Sequence, residues 1–308
     1  GPFLGCYADK LGRTPNLDKL ASEGVCYLNA YSNAPVCAPA RNTIATGMLA
    51  SSLGTSHMRS RRPVPAFVKT HAEYLKDHGY YTTNCRKTDY NTSSFNGSIW
   101  DECGRKASYR NRKDKSQPFF SIFNFTDSHE SRLHHVSDDP KSFETDPAKV
   151  EIPPYLPDTT EIRNTIAKEY DLVAKVDKKV GKVIEELEKS GETDNTIIFF
   201  HGDHGGAYPR TKRYLYQSGT LVPMIVKCPP KYEHLLPAAK GSASDRLVCF
   251  ADLAPTVLSI AGIKPPSCMQ GKAFMGTYDR SEHEYIFNFA DRFDESYRMS
   301  RMICDKEF

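Results

Sequence analysis

Cys37 lies in the run Pro35-Val36-Cys37-Ala38-Pro39-Ala40-Arg41, where Pro39 marks the first turn of a helix and Arg41 falls one turn past the cysteine. A helix start carries unpaired amides, and a guanidinium beside it makes that end favourable for an anion. Cys37 is then either a thiol placed for chemistry or a small buried residue. Phe199-Phe200-His201-Gly202-Asp203-His204-Gly205-Gly206 puts Asp203 and His204 on the loop directly after an apolar run. A carboxylate and an imidazole there suit a hard metal ion, and equally a turn built on glycine. His129, in Phe125-Thr126-Asp127-Ser128-His129-Glu130, ends another apolar run, where an imidazole can protonate a leaving group or face solvent. Lys212, with Arg213 next to it, is a cation able to stabilise a transferring anionic group without moving a proton, or a solvated lysine. Lys87 follows the Tyr80–Thr83 run, and Asp89 two residues on is an acid of the same loop.

Elements must carry these residues to one place. Thr14 offers a capping hydroxyl ahead of Pro15, and Leu17, Leu20 and Ala21 share a helical face until Gly24. Residues 25–31 then read as a strand, residues 70–78 as a short helix ending at Gly79, and residues 80–83 as a second strand. Pro118-Phe119-Phe120-Ser121-Ile122-Phe123-Asn124-Phe125 is apolar almost throughout, as expected of a central strand covered on both faces. The longest helix spans about residues 160–190, because Ile162, Ile166, Tyr170, Val173, Val180, Ile184 and Leu187 recur at helical spacing before Gly191. A buried strand follows at residues 196–200. This alternation predicts an α/β sandwich with a largely parallel sheet, its functional residues on loops beyond the C-terminal ends of strands.

The chain has 308 residues, 39% hydrophobic and 26% charged, with a net charge of +3. That is a globular composition, which excludes disordered, collagen-like and membrane-spanning classes. Lys plus Arg (41) nearly balances Asp plus Glu (38), so no nucleic-acid partner is expected. Nine cysteines without CxxC spacing argue against zinc ribbons and a dense disulfide framework, leaving room for one or two disulfides. No repeat or low-complexity linker divides the chain. The basic run Ser52–Arg62 reads as a rim for an acidic sugar or as a solvated loop.

The spacing Cys37, Pro39, Arg41, Thr46, Gly47 resembles the C-x-P-x-R…T-G signature of type I sulfatases. Leu4-Gly5-Cys6-Tyr7 and Thr14-Pro15-Asn16-Leu17-Asp18 resemble the segment that precedes it, and Leu253-Ala254-Pro255-Thr256 with Met269-Gln270-Gly271 resembles scaffold further on. The resemblance implies an alkaline-phosphatase-like fold and conversion of Cys37 to formylglycine, whose hydrated aldehyde attacks sulfur with one hydroxyl and expels sulfate by collapse of the other. It implies Arg41 and Lys87 as supports of that residue and of the sulfate, Lys212 as a sulfate clamp, and His129 as the acid for the leaving group. Asp203, His204 and Cys37 become ligands of a divalent metal, Ca2+ first and Mg2+ second. The family completes its metal site with two aspartates after a first strand, which would lie upstream of residue 1. Arg86 and Asp89 depart from the family's glycine and histidine around the lysine, and Glu130 replaces its proline after the histidine.

On this reading the chain is a fragment, with residues 1–278 the catalytic domain lacking its first strand and residues 279–308 the start of a smaller C-terminal subdomain. Glu151–Thr159 and Tyr297–Phe308 look similar to heparan N-sulfatases, which points to a heparan-type glycosaminoglycan. The implied partners are a sulfated carbohydrate and, during maturation, a formylglycine-generating enzyme; export to a periplasmic, extracellular or lysosomal space is expected. A phosphate or phosphonate ester hydrolase and a non-catalytic glycan-binding protein are the alternatives.

Overall fold

The computed structural model describes residues 3–294 and 296–307; Gly1, Pro2, Glu295 and Phe308 lie outside them. Helix α1 (Pro15–Ser22) leads into β1 (Val25–Tyr31), then α2 (Cys37–Thr46), α3 (His71–Asp77), β2 (Tyr81–Cys85), β3 (Glu102–Cys103) and β4 (Phe119–Phe123). The 30-residue α4 (Thr160–Lys189) precedes β5 (Ile198–His201), α5 (Gln217–Thr220), β6 (Met224–Lys227), β7 (Ser242–Cys249) and α6 (Leu253–Ile260). A hairpin of β8 (Ile286–Phe293) and β9 (Ser296–Cys304) follows.

The strands form a four-stranded sheet in the order β5-β6-β1-β7, a three-stranded sheet in the order β3-β2-β4, and the hairpin. In the first, β1 runs parallel to β7 and antiparallel to β6, which is antiparallel to β5; all pairs of the second are parallel. Side-chain alternation sets the layers. Val25 and Tyr27 of β1, opposite Val226 and Met224 of β6, pack with Ala40 of α2 and Leu253. Cys26 and its partner Ile225 point the other way, to Leu17 and Leu20 of α1 and Val180 of α4. β1 and β6 thus bury both faces, as the central strands of an α/β sandwich require.

Three expectations need correction. β4 is not central: it ends its sheet, with no ladder on its outer edge among the described residues, and all five of its residues are only half-buried. β5 ends the other sheet in the same condition. Apolarity reported coverage of strand faces, which both have, and said nothing of edges. Thr14 does not cap α1; its hydroxyl accepts from the Gly5 amide and donates to Asp18. All nine cysteines are free thiols. No helix among the described residues is long and apolar enough to cross a membrane.

Candidate active site

Helix α2 begins at Cys37 itself, one step earlier than its flanking prolines suggest, with Val36 in extended conformation as its N-cap. Pro39 then falls in the first turn, where an amide has no intrahelical acceptor to lose. Arg41 lies four positions after Cys37, so both lie on one helix face. The helix ends at Gly47, whose φ of 67° suits glycine, and a Cβ there would press on Met269 and Pro255. Gln270 and Gly271 donate their amides to the Gly47 carbonyl, so the scaffold segments and the Thr46-Gly47 pair form one joint that fixes α2. On the other side, Val36 and Ala38 pack with Phe289, Ala290 and Phe293 of β8.

The Cys37 sulfur lies 3.0 Å from Nε2 of His204, which is 3.6 Å from a carboxylate oxygen of Asp203. The loop after β5 therefore meets the head of α2. Burial pushes the Cys37 thiol up most strongly, but the hydrogen bond to His204 together with the charges of His204 and Lys87 outweighs it and the pKa falls below its usual value. Asp203 is held far below the ordinary carboxylate range, because His204 and Lys87 overcome its burial. His204 is raised, burial being outweighed by Asp203 and the Cys37 sulfur. Donor atoms of Cys37, Asp203 and His204 lie within 4.8 Å of one another.

Lys87 arrives on the loop after β2, with Nζ 3.4 Å from Asp203. Its carbonyl accepts from Arg41 Nη2 at 2.8 Å and from Asn84, while Arg41 Nη1 donates to Asn124 at 2.9 Å. Arg41 thereby ties α2 to the ends of β2 and β4. Its Nε is buried without a partner among the described residues. His129 accepts the Ser131 amide at Nδ1, so its neutral ring carries the proton on Nε2. Burial and Lys212 lower its pKa below 6.5.

Lys212, 5% exposed, pairs with Glu130 at 3.1 Å. Glu130 also holds Arg213 bidentately at 2.7 and 2.9 Å, and these cations pull its pKa down to about 2. Arg213 in turn pairs with Asp294 in the β8–β9 turn. Glu130 and Asn124 were not singled out by the sequence: their partners lie 82 to 83 residues away, and no local pattern encodes such pairs. Cys37, Lys87, His129 and Lys212 line one cavity of about 370 Å³, and contacts among side chains link Asp203, His204 and Arg41 to them. A second cluster, Cys249, Asp252 and His283, is scaffold, since the Asp252 carboxylate is filled by the Cys249 and Lys272 amides and by His283.

Solved structures share this architecture. A 2-O GAG sulfatase superposes with a TM-score of 0.77 at 20% identity over 99% of this chain and 78% of its own. A phosphonate monoester hydrolase from Silicibacter pomeroyi superposes with a TM-score of 0.69 at 20% identity, covering 91% and 75%. The fold is the alkaline-phosphatase-like α/β sandwich. The sulfatase family model matches residues 1–263, and the chain belongs to that family in its type I branch. An ulvan-active sulfatase from Formosa agariphila is 40% identical over all of the chain, and the human N-sulphoglucosamine sulphohydrolase is 28% identical over 85% of it. The chain spans 58% and 59% of the length of these two relatives.

Proposed function

We propose that this chain is the sulfate-handling part of a formylglycine- and metal-dependent sulfatase acting on a sulfated polysaccharide. The observation that carries the reading is the meeting of Cys37, at the head of α2, with His204, Asp203 and Lys87 beside a cavity that also holds His129 and Lys212. Converted to formylglycine, residue 37 would supply a hydrated aldehyde, an oxygen nucleophile in place of the sulfur now 3.0 Å from His204. Asp203, His204 and that oxygen fit a divalent ion, calcium first and magnesium second, which when bound would polarise a sulfate oxygen. Their number is below what calcium takes, and the open edges of β4 and β5 leave room for a strand bringing the paired aspartates that the resemblance places upstream.

Within the chain, Lys87 and Lys212 offset the charge of the transferring group, and Arg41 holds Lys87 by its carbonyl. Lys212 must exchange Glu130 for the sulfate, and Arg213 keeps Glu130 paired when it does. His129, protonated, gives the departing oxygen its proton through Nε2. Residues 1–278 form the catalytic domain in this reading and residues 279–308 open a smaller subdomain; the complete protein is exported. Heparan-type glycans are supported by the likeness to the human sulphohydrolase, while the higher identity to an ulvan-active enzyme puts ulvan oligosaccharides first in a screen.

The test is peptide mass spectrometry around Cys37 in full-length protein made with a formylglycine-generating enzyme, followed by assay of free sulfate from ulvan and heparan-type oligosaccharides. Conversion with sulfate release is the expected result. Conversion with release of phosphate from an aryl phosphate but no sulfate from any substrate would favour an ester hydrolase of the other kind. An unmodified thiol beside a converted control would remove the nucleophile and leave a glycan-binding protein.

A further inference from the structure

The charged groups lining the Cys37 cavity do not balance. Six cations, Arg59, Arg86, Lys87, Arg132, Lys212 and Arg213, face three carboxylates, Asp89, Glu130 and Asp294. Lys87 is taken by Asp203, and Lys212 and Arg213 by Glu130, with Asp294 on Arg213. The side chains of Arg59, Arg86 and Arg132 are exposed and make no hydrogen bond or ion pair within the described residues. Three uncommitted guanidiniums, against the single uncommitted carboxylate of Asp89, therefore stand on the exposed side of this cavity, apart from its paired inner cations.

Backbone conformation adds an independent observation. Eight described non-glycine residues have positive φ, and four of them line this cavity: Arg59 at 61°, Arg86 at 74°, Arg213 at 75° and Asp294 at 55°. Long side chains rarely adopt the left-handed region, and where they do the surrounding structure holds them there at a cost. Both Arg59 and Arg86 are in that state although neither gains an internal partner. They come from separate loops, Arg59 within the turn that Ser60 N–H closes on the His57 carbonyl and Arg86 just after β2.

We infer that Arg59, Arg86 and Arg132 form an anion subsite at the cavity mouth, which reads a second negatively charged group on the same glycan, a carboxylate or a further sulfate, while the first sulfate lies at Cys37. Guanidinium forks suit either group, and neutralising a second charge selects substrates more highly charged than a simple sulfate ester. Asp89, on the Lys87 loop, faces the same mouth as an acceptor for sugar hydroxyls and rejects an anion placed too near Lys87. This subsite rests on the sulfatase reading for what occupies the Cys37 end, but not for its own charge.

Arg59→Asn and Arg86→Asn remove the charges with a residue that tolerates positive φ, so folding is spared. Arg105→Asn, exposed and outside both the cavity lining and the Ser52–Arg62 run, is the control. With full-length converted protein, 4-nitrophenyl sulfate turnover is inhibited by three heparin-derived disaccharides: one with uronate and N-sulfate, its carboxyl-reduced form, and one with uronate, N-sulfate and 6-O-sulfate. Each Arg variant should raise the inhibition constant of the multiply charged probes about tenfold, with kcat and KM for the aryl sulfate and inhibition by inorganic sulfate unchanged. Loss of the effect with the carboxyl-reduced probe assigns the subsite to a carboxylate; its return only with the 6-O-sulfate assigns it to a second sulfate. Equal inhibition constants for Arg59→Asn, Arg86→Asn and Arg105→Asn overturn the subsite. If 4-nitrophenyl sulfate is not turned over, calorimetric titration of the same probes into the same protein tests the subsite by the same tenfold weakening, while sulfate release from the oligosaccharides decides the sulfatase reading separately.

Discussion

At Cys37, chemistry depends on what the neighbours do to a single residue. Replacing it with alanine should lower sulfate release by at least about 10⁴-fold with the fold intact, measured by ion chromatography. His129 gives a more discriminating test. Its pKa is lowered by burial and by Lys212, so the imidazolium forms only as pH falls through a value below 6.5. Turnover of a glycan, whose alkoxide leaves poorly, should therefore decline with rising pH from below 6.5, while 4-nitrophenyl sulfate lacks that limb. His129→Ala should cost about 10²-fold or more on the glycan and little on the aryl sulfate; equal losses on both would discount the acid role. Away from the cavity, Glu169 of α4 is buried with Oε2 unpartnered, and its pKa rises to about 7 through desolvation. A carboxyl raised on folding stabilises below its unfolded pKa of 4.5, and that stability is lost as pH climbs through about 7. Glu169→Gln should raise the unfolding free energy read from urea titration at pH 8 by up to roughly 3 kcal/mol, and leave it nearly unchanged at pH 4.

Among elements, α2 carries the greatest share of the positioning. It is held at its end by the joint of Gly47 with Gln270 and Gly271, and at its head by β8. That joint depends on Asp252, fully buried ahead of α6, which receives the Cys249 amide at 2.8 Å, the Lys272 amide at 2.7 Å and His283 at 2.8 Å. Asp252→Ala leaves two buried amides unpaired and should destabilise by roughly 2–4 kcal/mol, seen as a lower Tm, with Asp252→Asn costing less. The helices and strands were legible because their signals are local: the α4 stripe ends where it should, and β1 has its expected bounds. Strand neighbours were not. β4 reads as central because its residues are apolar, yet edge or centre is decided by what pairs with its backbone. Hydrogen exchange of residues 1–308 should find the β1 and β6 amides outlasting those on the open edges of β4 and β5 by orders of magnitude. Equal protection would mean that something pairs with those edges.

For the whole molecule, a net charge of +3 supplies little long-range attraction for a polyanion, so capture rests on the local excess at the cavity mouth. Raising salt from 50 to 500 mM should therefore increase KM for a sulfated oligosaccharide severalfold and change KM for 4-nitrophenyl sulfate much less. Equal salt responses would show that the mouth contributes nothing beyond the inner cations. The sequence by itself determined the family, through the Cys37-to-Gly47 spacing, and the placement of Lys87, His129 and Asp203 past strand ends, because spacing along a helix and position after an apolar run are properties of a few consecutive residues. Tertiary structure alone decided that Glu130 binds Lys212 and Arg213, that Arg41 holds the Lys87 carbonyl, and that Arg59 and Arg86 share one mouth. These partners are brought together from separate loops by the packing of helices on both faces of the sheets, and no pattern of neighbouring residues records which distant charges that packing will leave paired and which it will leave free.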